Sequence, residues 1–368
     1  MTLLRAVASH QGLRPVTPYF RGPPKAAASW IALLIQTGAG SWTYHVSEMK
    51  SALRAVCVGC ASLMATAASG QCRWEVPVIP FRLTSAVWTG SRFVALGWDV
   101  TDKLVATSET ATDWAVVLRF SLPSEPMLAW DGRELLAMMP PQAWRGVDAA
   151  TWIEVPTDFG YLSPRFLTFA GDRFFAFEPP LWWGAGELWA SQNGQHWSIV
   201  EQPRLGDVFQ VIHTGSLFVA VGGPNPFVDT SPDAVSWSAQ SLPPEVGANP
   251  HLDDVAWNGR SLVAVGMHGL IVTSPDGSVW NVQSSGVPVS LYAVASTTDG
   301  FVCGGEAGTV LASADGTLWY AESVPTQSII VSLVGAGDRT LALTSDGGVL
   351  VRICEQSHRP RHHLGHSP

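Results

Sequence analysis

Aromatic and acidic side chains gather at four places in the chain. Trp98, Asp99 and Asp102 lie in GWDVTDK, and Trp144 and Arg145 in PPQAWRG. Trp182, Trp183 and Glu187 lie in PPLWWGAGE, and Asn225, Phe227 and Asp229 in GGPNPFVD. A flat ring covers apolar surface while a carboxylate accepts hydrogen bonds, a combination that suits a sugar or an extended peptide. The same rings can instead simply pack loops onto a rim. Covalent chemistry has fewer candidates. Asp253 and Asp254 are adjacent acids, but glycoside hydrolysis needs two carboxyls across a defined gap, and neighbouring acids on a loop or strand are usually solvated. His358, His362, His363 and His366 stand in the tail EQSHRPRHHLGHSP. Imidazole binds Zn or Cu, yet no carboxylate is placed beside them and Pro360 disfavours a helical pair. The tail reads as disordered. No catalytic residue, metal site or cofactor is expected.

The elements that must carry these residues announce themselves as repeats. TSPDGSVW at 273–280 returns as ASADGTLW at 312–319, TSPDAVSW at 230–237 and ASQNGQHW at 190–197. Degraded copies are TSETATDW at 107–114 and GVDAATW at 146–152. The closing residues Trp74, Trp114, Trp152, Trp197, Trp237, Trp280 and Trp319 follow a period of about 40. A second element runs in phase: WTGSRFVALG from Trp88, WDGRELLAMM from Trp130, FAGDRFFAFE from Phe169, HTGSLFVAVG from His213 and WNGRSLVAVG from Trp257. Weaker copies start at Ser296 and Gly335. A short apolar segment, a glycine turn and a β-branched run make a hairpin. A third run ends in the Asp-type turn, which feeds the Trp strand. Each unit therefore reads as four antiparallel strands, a to d.

Seven such units predict an all-β protein, a seven-bladed β-propeller. One blade cannot bury both its faces, and radial packing lets neighbours cover each other. In the turn, Asp276, Asp315 or Asp233 accepts backbone N–H groups of its own turn. Gly277 and Gly316 tolerate the positive φ. The following indole folds into the seam between blades. Burying roughly 150–250 Å² per Trp is worth about 4–6 kcal/mol gross.

The turn resembles the Asp box, or bacterial neuraminidase repeat, with common form Ser-x-Asp-x-Gly-x-x-Trp; here it is one residue shorter, as Ser274-x-Asp276-Gly277-x-x-Trp280. The combined pattern over about 74–354 resembles bacterial secreted propellers of sialidase-like or photosystem II assembly-factor-like type. The resemblance implies the fold; many unrelated activities share it.

The chain ends complete the count. Residues 74–78 look like a strand d lacking a, b and c, whereas 332–353 supply a, b and c lacking d. Together they form one composite blade. The end of strand c then faces the start of strand d, which places Cys72 beside Cys354: a disulfide, or two free thiols. Cys303 is expected as a small buried apolar residue. A disulfide needs an oxidising compartment. From Met49, a short basic stretch through Arg54, an uncharged run over 55–68 and small residues up to Gly70 have the layout of a signal peptide. The expected organisation is therefore an extension over 1–48 with no strand or helix period, a signal peptide over 49–70, the propeller over 71–354 and the tail. The extension is an over-long gene start, a real leader or a disordered segment. The protein is expected to be exported, periplasmic or extracellular, and not integral to the membrane.

Residues 72–354 hold 13 basic and 28 acidic side chains, a net charge of −15. Such a surface repels nucleic acid. In the whole chain 46% of residues are apolar and 14% charged, which suits a compact β protein with a large shared core. On a propeller the b–c and d–a loops share the ligand face, and blades one to four are expected to carry the longer b–c loops there. Three function classes follow. The first is a non-catalytic, monomeric scaffold that binds a glycan or protein on that face. The second is an assembly factor for a membrane complex, implied by the photosystem II-type resemblance. The third is a sialidase-type hydrolase. The sialidase resemblance implies an arginine triad, an activated tyrosine and an acid/base Asp. Arg82 in Phe-Arg-Leu-Thr at 81–84 echoes the first arginine, but no second or third stands in a matching context. Tyr161, Tyr292 and Tyr320 are the tyrosines after residue 71, and no acid is evident beside Tyr320.

Overall fold

The computed structural model describes residues 72–121, 126–159, 164–179, 186–201, 206–248 and 250–354, together with a two-stranded ladder of Gln36–Thr37 and Ser41–Trp42. That ladder lies where no strand was expected. The proposed signal peptide, the His-rich tail, Tyr161, Trp182 and Trp183 lie outside the described residues.

Seven four-stranded antiparallel sheets follow one another, each in the order a-b-c-d. The a strands are Arg82–Trp88, Met127–Trp130, Phe166–Ala170, Asp207–His213, Leu252–Trp257, Leu291–Thr297 and Ile330–Ala336, for blades 1 to 7. The b strands, such as Leu262–Gly266 and Gly300–Gly305, are buried along their whole length. Both faces of such a strand meet a neighbouring blade, so its sequence is continuously apolar rather than alternating. One cluster joins Val219, Val221 and Val228 of blade 4 to Leu262, Ala264 and Trp280 of blade 5; comparable clusters join other neighbours.

Blade 7 is closed by Cys72–Glu75, paired antiparallel to Val349–Cys354 with Cys72 opposite Cys354. The Cys72–Cys354 disulfide spans 282 residues. Beside it, the buried Arg352 guanidinium meets Asp299 at 3.0 Å and Glu322 at 2.7 Å, and the Trp74 indole donates to Glu322 at 2.7 Å. Blades 6 and 7 are thus tied by one buried arginine with two carboxylates, a geometry in which removing both carboxylates would strand the arginine's charge. Cys303 is fully buried, and burial pushes its thiol pKa up.

The Asp-type turns form one hydrogen-bond pattern. Ser274 Oγ accepts the Gly277 N–H at 2.8 Å, Asp276 Oδ1 accepts the Ser278 N–H at 2.9 Å, and the Trp280 indole donates to the Gly277 carbonyl at 3.0 Å. The turns ending at Trp319 and Trp197 repeat it, with Asn193 in the acid's place in the latter. In the turn ending at Trp152, Asp148 accepts two backbone N–H groups, although that copy is degraded in sequence. In the turn ending at Trp114, Thr110 stands where the acid should be and Ala111 adopts φ 62°. Ala234 likewise replaces glycine at φ 60°. Trp237 is the exception: its buried indole N–H meets no acceptor among the described residues.

Candidate functional site

The a strands line a central channel that encloses a cavity of about 600 Å³. In five blades the a strand carries a β-bulge at its first turn of ladder, just inside the face shared by the b–c and d–a loops. The register skips Thr84, Phe209, Asp253, Tyr292 and Val331 in blades 1, 4, 5, 6 and 7. A bulge leaves one residue unpaired and re-aims its side chain. All five line the cavity.

Asp253 and Asp254, read from sequence as solvated, occupy this mouth and are half-buried there. Burial pushes both carboxyls up to about 7, the neighbouring Asp254 adding to the effect on Asp253. Asp254 faces the wall, accepting the N–H groups of Val255 and of Val294 in the next blade, each at 2.8 Å. Asp253 Oδ2 lies 3.0 Å from His251 Nδ1. The His251 pKa is lowered by burial and by Arg165 and His268. Arg165 pairs with Asp207 at 3.0 Å and covers the Phe209 ring at 4.8 Å, and Phe209 meets His251 edge-on at 5.0 Å. Tyr292 donates its hydroxyl to Glu306 Oε1 at 2.9 Å. Burial and that bond raise the tyrosine's pKa, while the hydroxyl lowers that of Glu306.

The aromatic loops expected to bind fare differently. Trp98 is 39% exposed, with the Lys103 ammonium 6.0 Å from its ring. Asp99 beside it is taken up by its own turn, accepting the Thr101 and Asp102 N–H groups and the Arg119 guanidinium, which hold its carboxyl well below the usual range. In blade 2 the expected long loop is a two-residue turn at Pro140 and Pro141, because Gln142–Gly146 is already strand c. Trp144 packs between blades 1 and 2. Arg145 points to the opposite rim, where Asp131 and Glu134 each hold it at 2.9 Å. Phe227 is likewise a strand residue, 3% exposed and packed between blades 3 and 4. Glu187, the exposed first residue of its strand, lies opposite Glu178. In blades 2 and 4 sequence length overstated the loop because strand c begins sooner after strand b than in blades 5 and 6, whereas in blade 3 the connection from Glu178 to Glu187 is longer than theirs, as expected.

Arg82 lies at the rim with Asp346, its guanidinium donating to the Asp346 carbonyl at 2.6 Å. Tyr320 is exposed on an outer d strand. The Tyr292–Glu306 pair, fourteen residues apart, was not foreseen. A signal existed: aligning the a strands as LTSAV, VFQVI, LDDVA, LYAVA and IVSLV puts all five bulged residues at the second position.

No protein-family profile matches the chain, and no curated protein matches it in sequence. Solved structures do match in shape. YCF48 bound to a D1 peptide aligns with TM-score 0.59 at 18% identity, over 77% of this chain and 97% of that one. YCF48 from Cyanidioschyzon merolae aligns with TM-score 0.55 at 14% identity, over 76% and 98%. A catalytically inactive virginiamycin B lyase from Staphylococcus aureus with quinupristin aligns with TM-score 0.62 at 9% identity, over 77% and 100%. At these identities the likeness establishes the propeller fold that this chain shares with a peptide-bound protein and with an enzyme.

Proposed function

We propose that this protein is an exported, non-catalytic binding propeller whose channel face takes a segment of a partner protein. The observation that carries the reading is the set of five bulges, which turn Thr84, Phe209, Asp253, Tyr292 and Val331 into one cavity mouth. Side chains of mixed chemistry on a rigid ring suit recognition of an irregular, extended ligand. The likeness to YCF48, a propeller solved with a D1 peptide, supports a protein partner over a glycan. It also keeps an assembly role in a membrane complex within this reading. Among the described residues no helix is long and apolar enough to cross a membrane. The disulfide and the leader-like stretch from Met49 support export. Trp98 and Glu187 extend the same face outward.

A second reading rests on Tyr292 and Glu306. A tyrosine bonded to a carboxylate is the nucleophile arrangement that the sialidase resemblance implies. Against it, no arginine stands among the residues lining the cavity, and Arg165, which acts on the neighbouring Asp253, is already held by Asp207.

Peptide and glycan arrays probed with the protein and with Phe209→Ala and Tyr292→Ala separate these readings, alongside a fluorogenic sialoside assay. Retention on peptides that both variants lose is expected. Retention on glycans alone, or binding indifferent to both variants, overturns the peptide reading. Sialoside hydrolysis lost in Tyr292→Phe establishes the second.

A further inference from the structure

The bulged residues of blades 4, 5 and 6 are consecutive around the channel mouth: Phe209, Asp253, Tyr292. A carboxylate is thus flanked on either side by an aromatic ring, all three half-buried and lining the same cavity. An aromatic ring attracts a cation through its quadrupole, and a carboxylate adds a formal counter-charge. We propose that this triplet is a subsite for one basic side chain, a lysine ammonium or an arginine guanidinium, carried by the protein segment that the channel face binds. The inference rests on the binding reading and names the ligand chemistry within it.

The surroundings favour a cation over an anion. Asp254 and Glu306 stand with Asp253 on this side of the mouth, while Arg165 is balanced by its own partner, Asp207, at 3.0 Å. Arg165 over Phe209 at 4.8 Å also shows that this ring accepts a guanidinium. The bulged residues across the mouth, Thr84 and Val331, carry no charge, so the attraction is one-sided. The excess of acids, 28 against 13 basic residues over 72–354, would steer a basic segment toward the protein before contact.

Proton uptake should weaken the site. Asp253 is in hydrogen-bond contact with His251, with Asp254 beside it and Arg165, His268, Tyr292 and Glu306 in its field or nearby. As pH falls through about 7, Asp253 gains a proton and loses its charge, and any charging of His251 adds repulsion. Both changes act against a bound cation.

The test titrates the full chain with the array-selected peptides in two forms, one unchanged and one with each Lys replaced by Gln and each Arg by citrulline. At pH 8 the neutralised form is expected to bind at least about tenfold more weakly, and the basic form to weaken about tenfold from pH 8 to pH 6, as for the loss of one close charge pair. Asp253→Asn should remove the preference and most of the pH dependence, leaving only the part due to His251. Phe209→Leu, which keeps the carboxylate, should lower the preference several-fold and serves if Asp253→Asn fails to fold. Neutralised peptides that bind equally well, or a preference untouched by the variants, overturn the inference and leave the binding reading standing. If the arrays retain no peptide, both fall.

Discussion

Asp253 shows how one residue's environment reverses the expectation for its type. A surface aspartate keeps its ordinary pKa; this one is turned by a bulge into a half-closed mouth beside Asp254, and its pKa rises to about 7. The consequence for stability has a definite sign. The folded state holds the proton more tightly than the unfolded chain, whose carboxyl titrates near 4. Stability contributed by this group is therefore greatest below pH 4 and declines as pH rises through about 7. Asp253→Asn removes the penalty and should stabilise the protein by roughly 1–3 kcal/mol at pH 8, with the difference vanishing toward pH 4. Urea unfolding of both proteins at pH 4.5, 6 and 8 checks this. A variant equally or less stable at pH 8 would mean that Asp253 is ionised and satisfied in the fold.

At the scale of the element, the turn before each Trp strand unites local and tertiary stabilisation. Ser274 is 1% exposed and its hydroxyl accepts two turn N–H groups. Ser274→Ala leaves the buried Gly277 N–H and the part-buried Asp276 N–H short of an acceptor, at a cost of roughly 1–3 kcal/mol. Trp280 is 3% exposed within the seam between blades 4 and 5, so Trp280→Ala should cost about 3–5 kcal/mol. Trp98, exposed on its loop, provides the contrast: Trp98→Ala should stay within about 1 kcal/mol. Thermal melts of the three variants rank them directly. Equal losses at Trp280 and Trp98 would contradict the division between seam and loop. Degraded turns survive for a physical reason. Thr110 supplies an oxygen in place of a carboxylate, and Ala111 and Ala234 bear a left-handed φ, so the conserved geometry outlasts the residue types that favour it.

Across the whole molecule, closure depends on Cys72–Glu75 pairing with the last four residues of the strand Val349–Cys354. The disulfide restricts an unfolded chain over 282 residues, which the loop-entropy relation values at up to about 5 kcal/mol. Cys354→Ser should therefore lower the denaturation midpoint substantially. The same loss is expected from the unchanged protein under reductant, and reductant should have no further effect on the variant. An effect of reductant on Cys354→Ser would point to another thiol, and an unchanged midpoint would show that strand pairing and the Arg352 network suffice without the covalent bond.

Much of this architecture could be read along the chain, because the information is periodic and local. A Trp every 40 residues or so, hairpin glycines and Ser-x-Asp turns repeat often enough to reveal blade number, strand order and the pairing of Cys72 with Cys354. The cavity mouth is built by other means. Arg165, Phe209, His251, Asp253, Tyr292 and Glu306 come from four blades and their connecting loops, and no short spacing joins one blade's contribution to the next. A bulge changes one residue's direction without changing the apolar pattern around it, so Asp253 looked solvated. The aromatic loops misled for the opposite reason. Trp144, Arg145 and Phe227 advertise binding chemistry by type, but the early start of strand c commits them to packing and ion pairs. Repetition along the chain settled the ring of blades; the direction in which each side chain leaves its strand was settled when the blades came together.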